Sequence, residues 1–172
     1  MQAQQFNWKS YQPTEQAVLC FLRSDQRILL IHKKRGLGAG KINGPGGKRE
    51  LPESLQETAC RETREEVGMD PTNPSHAGIL RFAFSNGYLL EVHVFLATEW
   101  TGQMTETDEA VPFWVHETEI PWDRMWQDDR YWLPKVLAGA TVEGEMFFED
   151  DRMTWWDLRF SDGVRDRGPS LL

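Results

Sequence analysis

Residues 47–69, GKRELPESLQETACRETREEVGM, constrain the fold of this chain more than any other stretch. Ser54 is followed three residues later by Glu57, which is a capping box and predicts that a helix starts at Ser54. Gly68 predicts the C-terminal end of this helix, because glycine readily adopts the left-handed conformation found there. One stripe at intervals of four residues is expected to face the core, and it consists of Leu55, Ala59, Thr63 and Val67.

The same predicted helix concentrates negative charge. Glu62 and Glu66 would stack one turn apart, and Glu65 would lie about 60° to the side. Like charges at this spacing cost stability, so the pattern favours a bound divalent cation. Mg²⁺ and Mn²⁺ take carboxylate oxygens as ligands and share the phosphates of a substrate. The alternative is that these glutamates form only a solvated charged face.

The residues around the helix are suited to support such a site. Residues 44–47, GPGG, lack Cβ atoms at three of four positions, so the backbone can approach a phosphate or a metal ion closely. Glu53 precedes the N-cap, and the Arg61 guanidinium adjoins Glu62, where it can hold a neighbouring carboxylate. Upstream, four basic side chains lie within nine residues and form either a local triphosphate pocket or a solvated loop: Lys33, Lys34, Arg35 and Lys41.

Composition predicts a single domain. The chain has 172 residues, of which 40% are hydrophobic, enough for one core. We expect a domain over residues 17–160, between an N-terminal arm at 1–16 and a C-terminal tail at 161–172. The formal charge of -8 argues against a nucleic-acid polymer as partner. Cys20 and Cys60 show no metal-ligand or disulfide spacing, and no signal peptide or membrane span is found, so a cytoplasmic protein with no membrane partner is expected.

Apolar runs separated by turn residues predict a mixed β-sheet. Three hairpins are expected, over 17–22 with 27–32, 79–84 with 88–97, and 142–149 with 153–160, and a further strand over 112–116. The glycine-rich residues 35–48 are predicted to be a loop. Residues 123–139 are predicted to be a helix that Pro134 bends or shortens. Together these elements indicate an α/β fold.

Gly47, Glu53 and residues 61–69, RETREEVGM, resemble the Nudix box, the signature of hydrolases that split a diphosphate linked to another group. Thr63 departs from the box, which prefers a bulky aliphatic residue there. The resemblance implies a Nudix α/β/α sandwich with a mixed β-sheet. It implies a catalytic set made of Glu53, Arg61, Glu62, Glu65, Glu66 and Glu109. It also implies Mg²⁺, with Mn²⁺ as a substitute, held by the Gly46 carbonyl, Glu62, Glu65, Glu66 and Glu109.

Segments outside the box resemble the oxidised purine nucleoside triphosphatases, also called 8-oxo-dGTP diphosphatases. These segments are residues 33–48, 89–95, 107–115 and 120–134. The resemblance implies hydrolysis of a small-molecule substrate, 8-oxo-dGTP and often 2-hydroxy-dATP, to the monophosphate and pyrophosphate. We expect the protein to be a monomer. The residues implied to bind this substrate are Asn43, Trp126, Asp128, Asp129, Lys33 and the backbone near Lys48, with Leu37 in the pocket wall. Phe82 and Leu90 are candidates for replacement apolar walls, and the alternative is that both belong to the strand core. Leu37 stands where the human-type enzyme has phenylalanine, and Gln127 replaces a proline.

The proposed base pocket is chemically reasonable. Trp126 offers a flat apolar face, and Asn43 carries both a donor and an acceptor for a purine edge. Asp128 and Asp129 would not both ionise easily in a partly dry pocket, so one of them would donate a hydrogen bond. In the alternative interpretation Asp128 is a helix N-cap, Trp126 a core anchor and Asp129 a solvated residue.

Two rival functions remain open from the sequence. One is a Nudix hydrolase for another nucleoside diphosphate derivative, such as ADP-ribose or a dinucleoside polyphosphate. The other is a non-catalytic Nudix module that binds nucleotides. Such a module would be expected to lose carboxylates from the box, whereas all of them are present in this chain.

Overall fold

The computed structural model describes residues 1–169, and none of the helices in this range is long and apolar enough to cross a membrane. In chain order the elements are β1 (Glu15–Ser24), β2 (Arg27–Lys33), β3 (Ile42–Asn43), β4 (Gly46–Lys48), α1 (Leu55–Val67), β5 (Met69–Pro71), β6 (Ser75–Phe84), β7 (Leu89–Ala97), β8 (Trp100–Gly102), β9 (Ala110–His116), α2 (Asp129–Leu137), β10 (Val142–Glu149), β11 (Arg152–Phe160) and β12 (Arg165–Arg167). They divide into two compact units. The first unit comprises Ala17–His76 and Val94–Trp126, and the second comprises the remaining described residues.

Antiparallel strands build the first unit. β1 and β2 form the predicted hairpin, and Asp25 and Gln26 turn the chain with φ of 51° and 60°. β2 also pairs with β9 and β3, while β4 pairs with β1. β5 and β8 form a separate two-stranded sheet. The core of the unit collects side chains from both sheets and from α1, among them Cys20, Leu29 and Phe95.

Helix α1 begins and ends where the sequence predicts. The Ser54 hydroxyl accepts a hydrogen bond from the Glu57 amide at 3.1 Å, and the Glu57 carboxylate accepts one from the Ser54 amide at 2.7 Å. Gly68 closes the helix in the left-handed conformation with φ of 75°. Ala59, Thr63 and Val67 are fully buried. The Thr63 hydroxyl donates to the Ala59 carbonyl at 2.7 Å, so the residue that departs from the Nudix box is buried with its polar atom satisfied.

The second unit contains the mixed part of the sheet. β6 pairs in parallel with β10, from Gly78 opposite Val142 to Phe84 opposite Phe148. β10 and β12 both pair antiparallel with β11. α2 buries Trp132 and Leu133 completely. The predicted α/β architecture with a mixed sheet is therefore confirmed.

The N-terminal residues pack on this second unit. Ala3–Gln5 and Trp8–Ser10 form short 3-10 turns. Phe6 and Trp8 contact a small cluster that includes Ala83, Phe147 and Trp155. The arm predicted at residues 1–16 is therefore ordered and covers apolar surface of the sheet.

Three predictions about elements were wrong in part. Residues 35–48, predicted to be a loop throughout, contain β3 and β4, because the backbone of this stretch pairs with β2 and β1. The helix predicted over 123–139 begins only at Asp129, after a 3-10 turn at Trp122–Arg124. Pro134 lies inside α2 without ending it. The tail predicted at 161–172 contains β12, and its last three residues lie outside the described residues.

Candidate active site

Arg61 links the carboxylates at the exposed side of α1. Its guanidinium donates through Nη1 to Glu62 at 2.8 Å and to Glu65 at 3.2 Å. Through Nε and Nη2 it donates to both oxygens of Glu53, at 2.5 and 3.0 Å. A further bond, at 3.0 Å, reaches the Lys48 carbonyl. The side chain of Arg61 is only 16% exposed, so its planar fork fixes these groups relative to one another.

Glu53 serves as the anchor for Arg61. Hydrogen bonds from Arg61 lower the pKa of the Glu53 carboxyl to about 2, and the Thr58 hydroxyl donates to the same carboxylate at 3.0 Å. Glu53 is therefore ionised at neutral pH and fully engaged by donors. Its geometry is that of a residue that orients Arg61, rather than one that faces a substrate.

Glu62 lies against the glycine-rich strand β4. A Cβ atom added at Gly47 would lie 2.3 Å from the carboxyl carbon of Glu62, so any other residue at this position would displace the carboxylate from its observed place. Burial is the main cause that raises the pKa of Glu62, and the neighbouring charges of Glu65 and Glu109 act in the same direction.

Glu66 is the most buried carboxylate of the helix, with 2% of its surface exposed. Its Oε2 accepts a hydrogen bond from the Gly46 amide at 3.0 Å. The pKa of Glu66 is raised to about 7, chiefly by burial; the Gly46 amide and the Lys33 charge act to lower it, and the charges of Glu62 and Glu109 act to raise it. A carboxyl group with a pKa near neutrality is suited to accept a proton during catalysis.

Glu109 approaches the helix carboxylates from the segment before β9. Its charge contributes to the raised pKa of both Glu62 and Glu66. The neighbouring Thr107 hydroxyl donates to the Glu66 carbonyl at 2.8 Å, which attaches this segment to the end of α1. Glu109 itself forms an ion pair with Arg35.

The chemistry of these donors fits a hard divalent cation. Oxygen atoms of Glu62, Glu66 and Glu109 interact electrostatically, and a glycine at position 47 preserves space beside the first of them. In the observed side-chain conformations the carboxylates point to Arg61, Arg35 and the Gly46 amide. Accordingly, within residues 1–169 no three His, Cys, Asp or Glu side chains converge on one point as metal ligands.

Five of the residues predicted to bind substrate belong to the first unit, and Lys48, at the end of β4, is one of them. Trp126 lies beside the glycine-rich loop, where the Lys41 Nζ is 5.0 Å from the ring centroid. Leu37 in the same loop is 47% exposed. Asn43 lies in β3 with its Oδ1 accepting from the Gly44 amide at 2.9 Å. Lys33 ends β2, within electrostatic reach of Glu66.

The other three, Asp128, Asp129 and Phe82, belong to the second unit. Asp128 occupies the N-cap position of α2, but its side chain makes no capping bond and instead accepts from the Trp132 indole at 2.9 Å. Burial raises the pKa of Asp128 to about 6. Asp129 is 2% exposed, so the alternative of a solvated residue is wrong. Phe82 is buried, with its ring centroid 6.1 Å from that of Phe148.

Sequence reasoning missed three residues that touch this site. The sequence indicates Lys34 and Arg35 only as local positive charge, yet they contact the segment that carries Glu109. Thr107, which contacts the Glu66 backbone, belongs to a segment of family resemblance but has no signal of its own in the sequence. The basic run KKR was a signal for the first two, but its acidic partner lies more than 70 residues away and only the fold reveals the pairing.

Comparison with known proteins identifies the family. The NUDIX domain family matches residues 13–136, most of the chain. The chain belongs to the Nudix family. Over 146 residues, 84% of this chain and 94% of the relative, it is 37% identical to an oxidized purine nucleoside triphosphate hydrolase from Mus musculus. A protein of the same description from Danio rerio is 41% identical over 72% of this chain and 80% of its own length.

Solved structures agree with this assignment. The MutT protein from Bacillus halodurans superimposes with a TM-score of 0.76 and 25% identity, over 87% of this chain and 99% of the MutT chain. The family and these relatives together show that the chain is a Nudix hydrolase. Nudix hydrolases generally use divalent metal ions, in agreement with the oxygen-rich donor set on α1.

Proposed function

We propose that this Nudix hydrolase cleaves oxidised purine nucleoside triphosphates, 8-oxo-dGTP and 2-hydroxy-dATP among them, to the monophosphate and pyrophosphate. The observation that carries the proposal is the 37% identity to the Mus musculus oxidized purine nucleoside triphosphate hydrolase over 94% of its length. Such an activity would remove damaged bases from the nucleotide pool before they enter DNA.

The metal in this proposal is Mg²⁺, for which Mn²⁺ would substitute. The residues that would hold it are the Gly46 carbonyl, Glu62, Glu65, Glu66 and Glu109. When bound, such an ion supplies charge neutralisation for the triphosphate and lowers the pKa of a coordinated water. Glu62, Glu65, Glu66 and Glu109 each accept through one carboxylate oxygen in the observed conformation, and their side chains would reorient to converge on one ion.

The side chains of the chain have distinct roles in the proposed reaction. Arg61, anchored by Glu53, orients Glu62 and Glu65. Glu66 accepts the proton of the attacking water, because its pKa of about 7 matches a base at neutral pH. Glu109 is the alternative base, since it also belongs to the carboxylate group. Lys33 and the backbone near Lys48 neutralise and orient the phosphates.

Residues at the base end would select a purine. Trp126 supplies a stacking surface, and Leu37 an apolar wall that is open to solvent. Asn43 and the pair Asp128 and Asp129 supply donors and acceptors for the purine edge. The raised pKa of Asp128, about 6, brings the protonated form, which would donate a hydrogen bond to the oxidised base, closer to neutral pH. Phe82 contributes a further apolar wall.

The biological setting is part of the same proposal. We expect the enzyme to act in the cytoplasm as a monomer on free nucleotides, with the catalytic domain at residues 17–160. A net charge of -8 disfavours a nucleic-acid polymer as substrate.

A substrate panel tests this function. Turnover would be measured by chromatography of the products, with Mg²⁺ and 8-oxo-dGTP, 2-hydroxy-dATP, dGTP, ADP-ribose or diadenosine tetraphosphate. We expect the two oxidised purines to have the highest kcat/KM and to release pyrophosphate. A higher kcat/KM for ADP-ribose or diadenosine tetraphosphate would assign the chain to another Nudix activity, and the lack of any hydrolysis would indicate a binding module.

A further inference from the structure

Lys34 and Arg35 join the glycine-rich loop to an acidic segment, residues 106–109, that carries a proposed metal ligand. Lys34 Nζ donates to the Glu106 carboxylate and to the Thr107 carbonyl, both at 2.7 Å. Arg35 forms an ion pair with Glu109 through Nη2. We call these three contacts the basic clasp. They lie outside the Nudix box, and of the residues that form them only Glu109 has a role in the function proposed above.

Hydrogen bonds that involve the backbone fix both sides of the clasp. The Lys34 amide donates to the Glu109 carbonyl at 2.9 Å. On the opposite side, the Thr107 hydroxyl donates to the Glu66 carbonyl at 2.8 Å and accepts from the Glu109 amide at 3.3 Å. The segment is therefore held between β2 and the end of α1. Arg35 and Glu109 are adjacent because the backbone brings them together, which distinguishes this pair from a chance contact of two long surface side chains.

Each carboxylate of the proposed metal site has a donor from the chain. Arg61 engages Glu62 and Glu65, and the Gly46 amide engages Glu66. For Glu109 the corresponding donor is Arg35. The Arg35 side chain is 65% exposed, whereas Arg61 is 16% exposed and anchored by Glu53. Arg35 can thus leave its carboxylate at little cost, and Arg61 cannot.

We propose that Arg35 is a positioning residue, which holds the Glu109 carboxylate in the observed orientation and competes with a divalent cation for it. Binding of the cation would transfer the Glu109 carboxylate from Arg35 to the metal site. The hydrogen bonds of the Lys34 amide and of the Thr107 hydroxyl would keep residues 106–109 in place. The inference rests on the proposed function, because it assumes that Glu109 joins the metal site.

Direct Mn²⁺ binding to the full chain at low ionic strength tests the inference without any substrate. Free Mn²⁺ would be measured by electron paramagnetic resonance for the wild type and for Arg35→Gln. Removing the Arg35 guanidinium is expected to tighten Mn²⁺ binding by about threefold, because a partly exposed ion pair contributes only modestly to the energy of its carboxylate. Arg35→Lys keeps a cation and should bind Mn²⁺ like the wild type.

Lys34→Gln is the matched control. The substitution removes a positive charge one residue away from Arg35. In the wild type, however, the Lys34 ammonium pairs with Glu106 and not with Glu109. We expect its effect on Mn²⁺ affinity to be clearly smaller than that of Arg35→Gln. In a Glu109→Gln background, Arg35→Gln should have no further effect on Mn²⁺ affinity, because the carboxylate for which the two cations compete is gone.

Several outcomes would overturn the inference. Unchanged or weaker Mn²⁺ binding by Arg35→Gln would show that Arg35 does not compete, and an equal gain in Lys34→Gln would show only a general charge effect. In turnover assays of Arg35→Gln, the Mg²⁺ concentration that gives the half-maximal rate should fall, and the KM for the nucleotide should be unchanged. A raised KM for the nucleotide would instead indicate that Arg35 contacts the phosphates of the substrate. Thermal melting would verify folding, and Arg35→Met would replace Arg35→Gln if the latter does not fold.

The two proposals fail in distinguishable ways. If no nucleotide of the panel is hydrolysed but Arg35→Gln still tightens Mn²⁺ binding, the substrate assignment is wrong and the role of Arg35 stands. If 8-oxo-dGTP is hydrolysed but Mn²⁺ affinity does not depend on Arg35, the substrate assignment stands and the proposed role of Arg35 is wrong.

Discussion

Burial and the charges of two neighbouring carboxylates raise the pKa of Glu66 to about 7, although the Gly46 amide that donates to it acts in the opposite direction. If it is the general base, Glu66→Gln removes the proton acceptor but keeps the size of the side chain and an oxygen for the Gly46 amide. We expect kcat to fall by at least about 10²-fold, the usual contribution of a general base. The measurement is turnover of 8-oxo-dGTP at saturating Mg²⁺.

Glu57→Gln is a suitable control for this experiment. It makes the same chemical change on the same helix, and glutamine also completes a capping box. Its turnover should match that of the wild type. Near wild-type turnover in Glu66→Gln would exclude Glu66 as the base and leave Glu109 as the candidate.

Gly47 shows how a residue without a side chain shapes the site. A methyl group at this position would lie 2.3 Å from the Glu62 carboxyl, so Gly47→Ala must displace that carboxylate from beside β4. We expect kcat/KM to fall at least about tenfold, because a displacement of this size disturbs catalytic geometry. The exposed Lys48→Ala is the control within the same strand, since its backbone carbonyl still accepts from Arg61. Equal activity of Gly47→Ala and the wild type would show that the position of the Glu62 carboxylate beside Gly47 does not matter for catalysis.

At the level of elements, the N-terminal arm is held by aromatic packing. The Trp8 ring stacks on Trp155 with centroids 5.3 Å apart, and Phe6 meets Trp8 edge to face at 4.8 Å. Trp8→Ala would remove both contacts and expose part of the sheet of the second unit, lowering the free energy of unfolding by about 1–3 kcal/mol. Urea denaturation measures this change. Lys9→Ala, at the exposed neighbouring position, should leave stability unchanged, and equal stability of the two variants would show that the arm is not held by Trp8.

Helix α1 could be predicted from the sequence to the residue, since its capping box, its apolar stripe and its terminal glycine are all local signals. β3 and β4 could not, because Ile42 and Gly46 become strand residues only through pairing with β2 and β1. The start of α2 could not be predicted either. Met125 and Trp126 continue the apolar pattern of a helix, but the chain before Asp129 forms a 3-10 turn at Trp122–Arg124 in which no residue is buried.

The same contrast applies to the candidate site. Glu62, Glu65 and Glu66 lie on one helix, so helical geometry alone predicts that they share a patch. The pairing of Arg35 with Glu109 and the space beside Gly47 depend on contacts between distant segments. Residue chemistry therefore predicts which groups take part, and the fold determines which donor each of them has.

For the whole molecule, the buried carboxyl groups of the site make the free energy of unfolding depend on pH. The pKa of Glu66 is raised from its ordinary value of 4.5 to about 7, so the folded state favours the protonated carboxyl. This contribution to stability is fully present below the ordinary pKa and is lost as the pH rises through about 7. Glu62 has a raised pKa and acts in the same direction, whereas the lowered pKa of Glu53 affects stability only in more acidic solution.

The pH dependence of unfolding should therefore distinguish Glu66→Gln from the wild type. In protein treated with a chelator, the two should differ little near about pH 5, where Glu66 is largely protonated in the folded state. Near about pH 8 the variant should be more stable relative to the wild type, by on the order of 2 kcal/mol, because it no longer buries an ionised carboxylate. Added Mn²⁺ should narrow this difference at the higher pH, since a cation that binds only the folded wild type stabilises it. A difference in unfolding free energy that is constant between the two pH values would mean that Glu66 ionises like a solvated glutamate, and its assignment as a buried base would then be wrong.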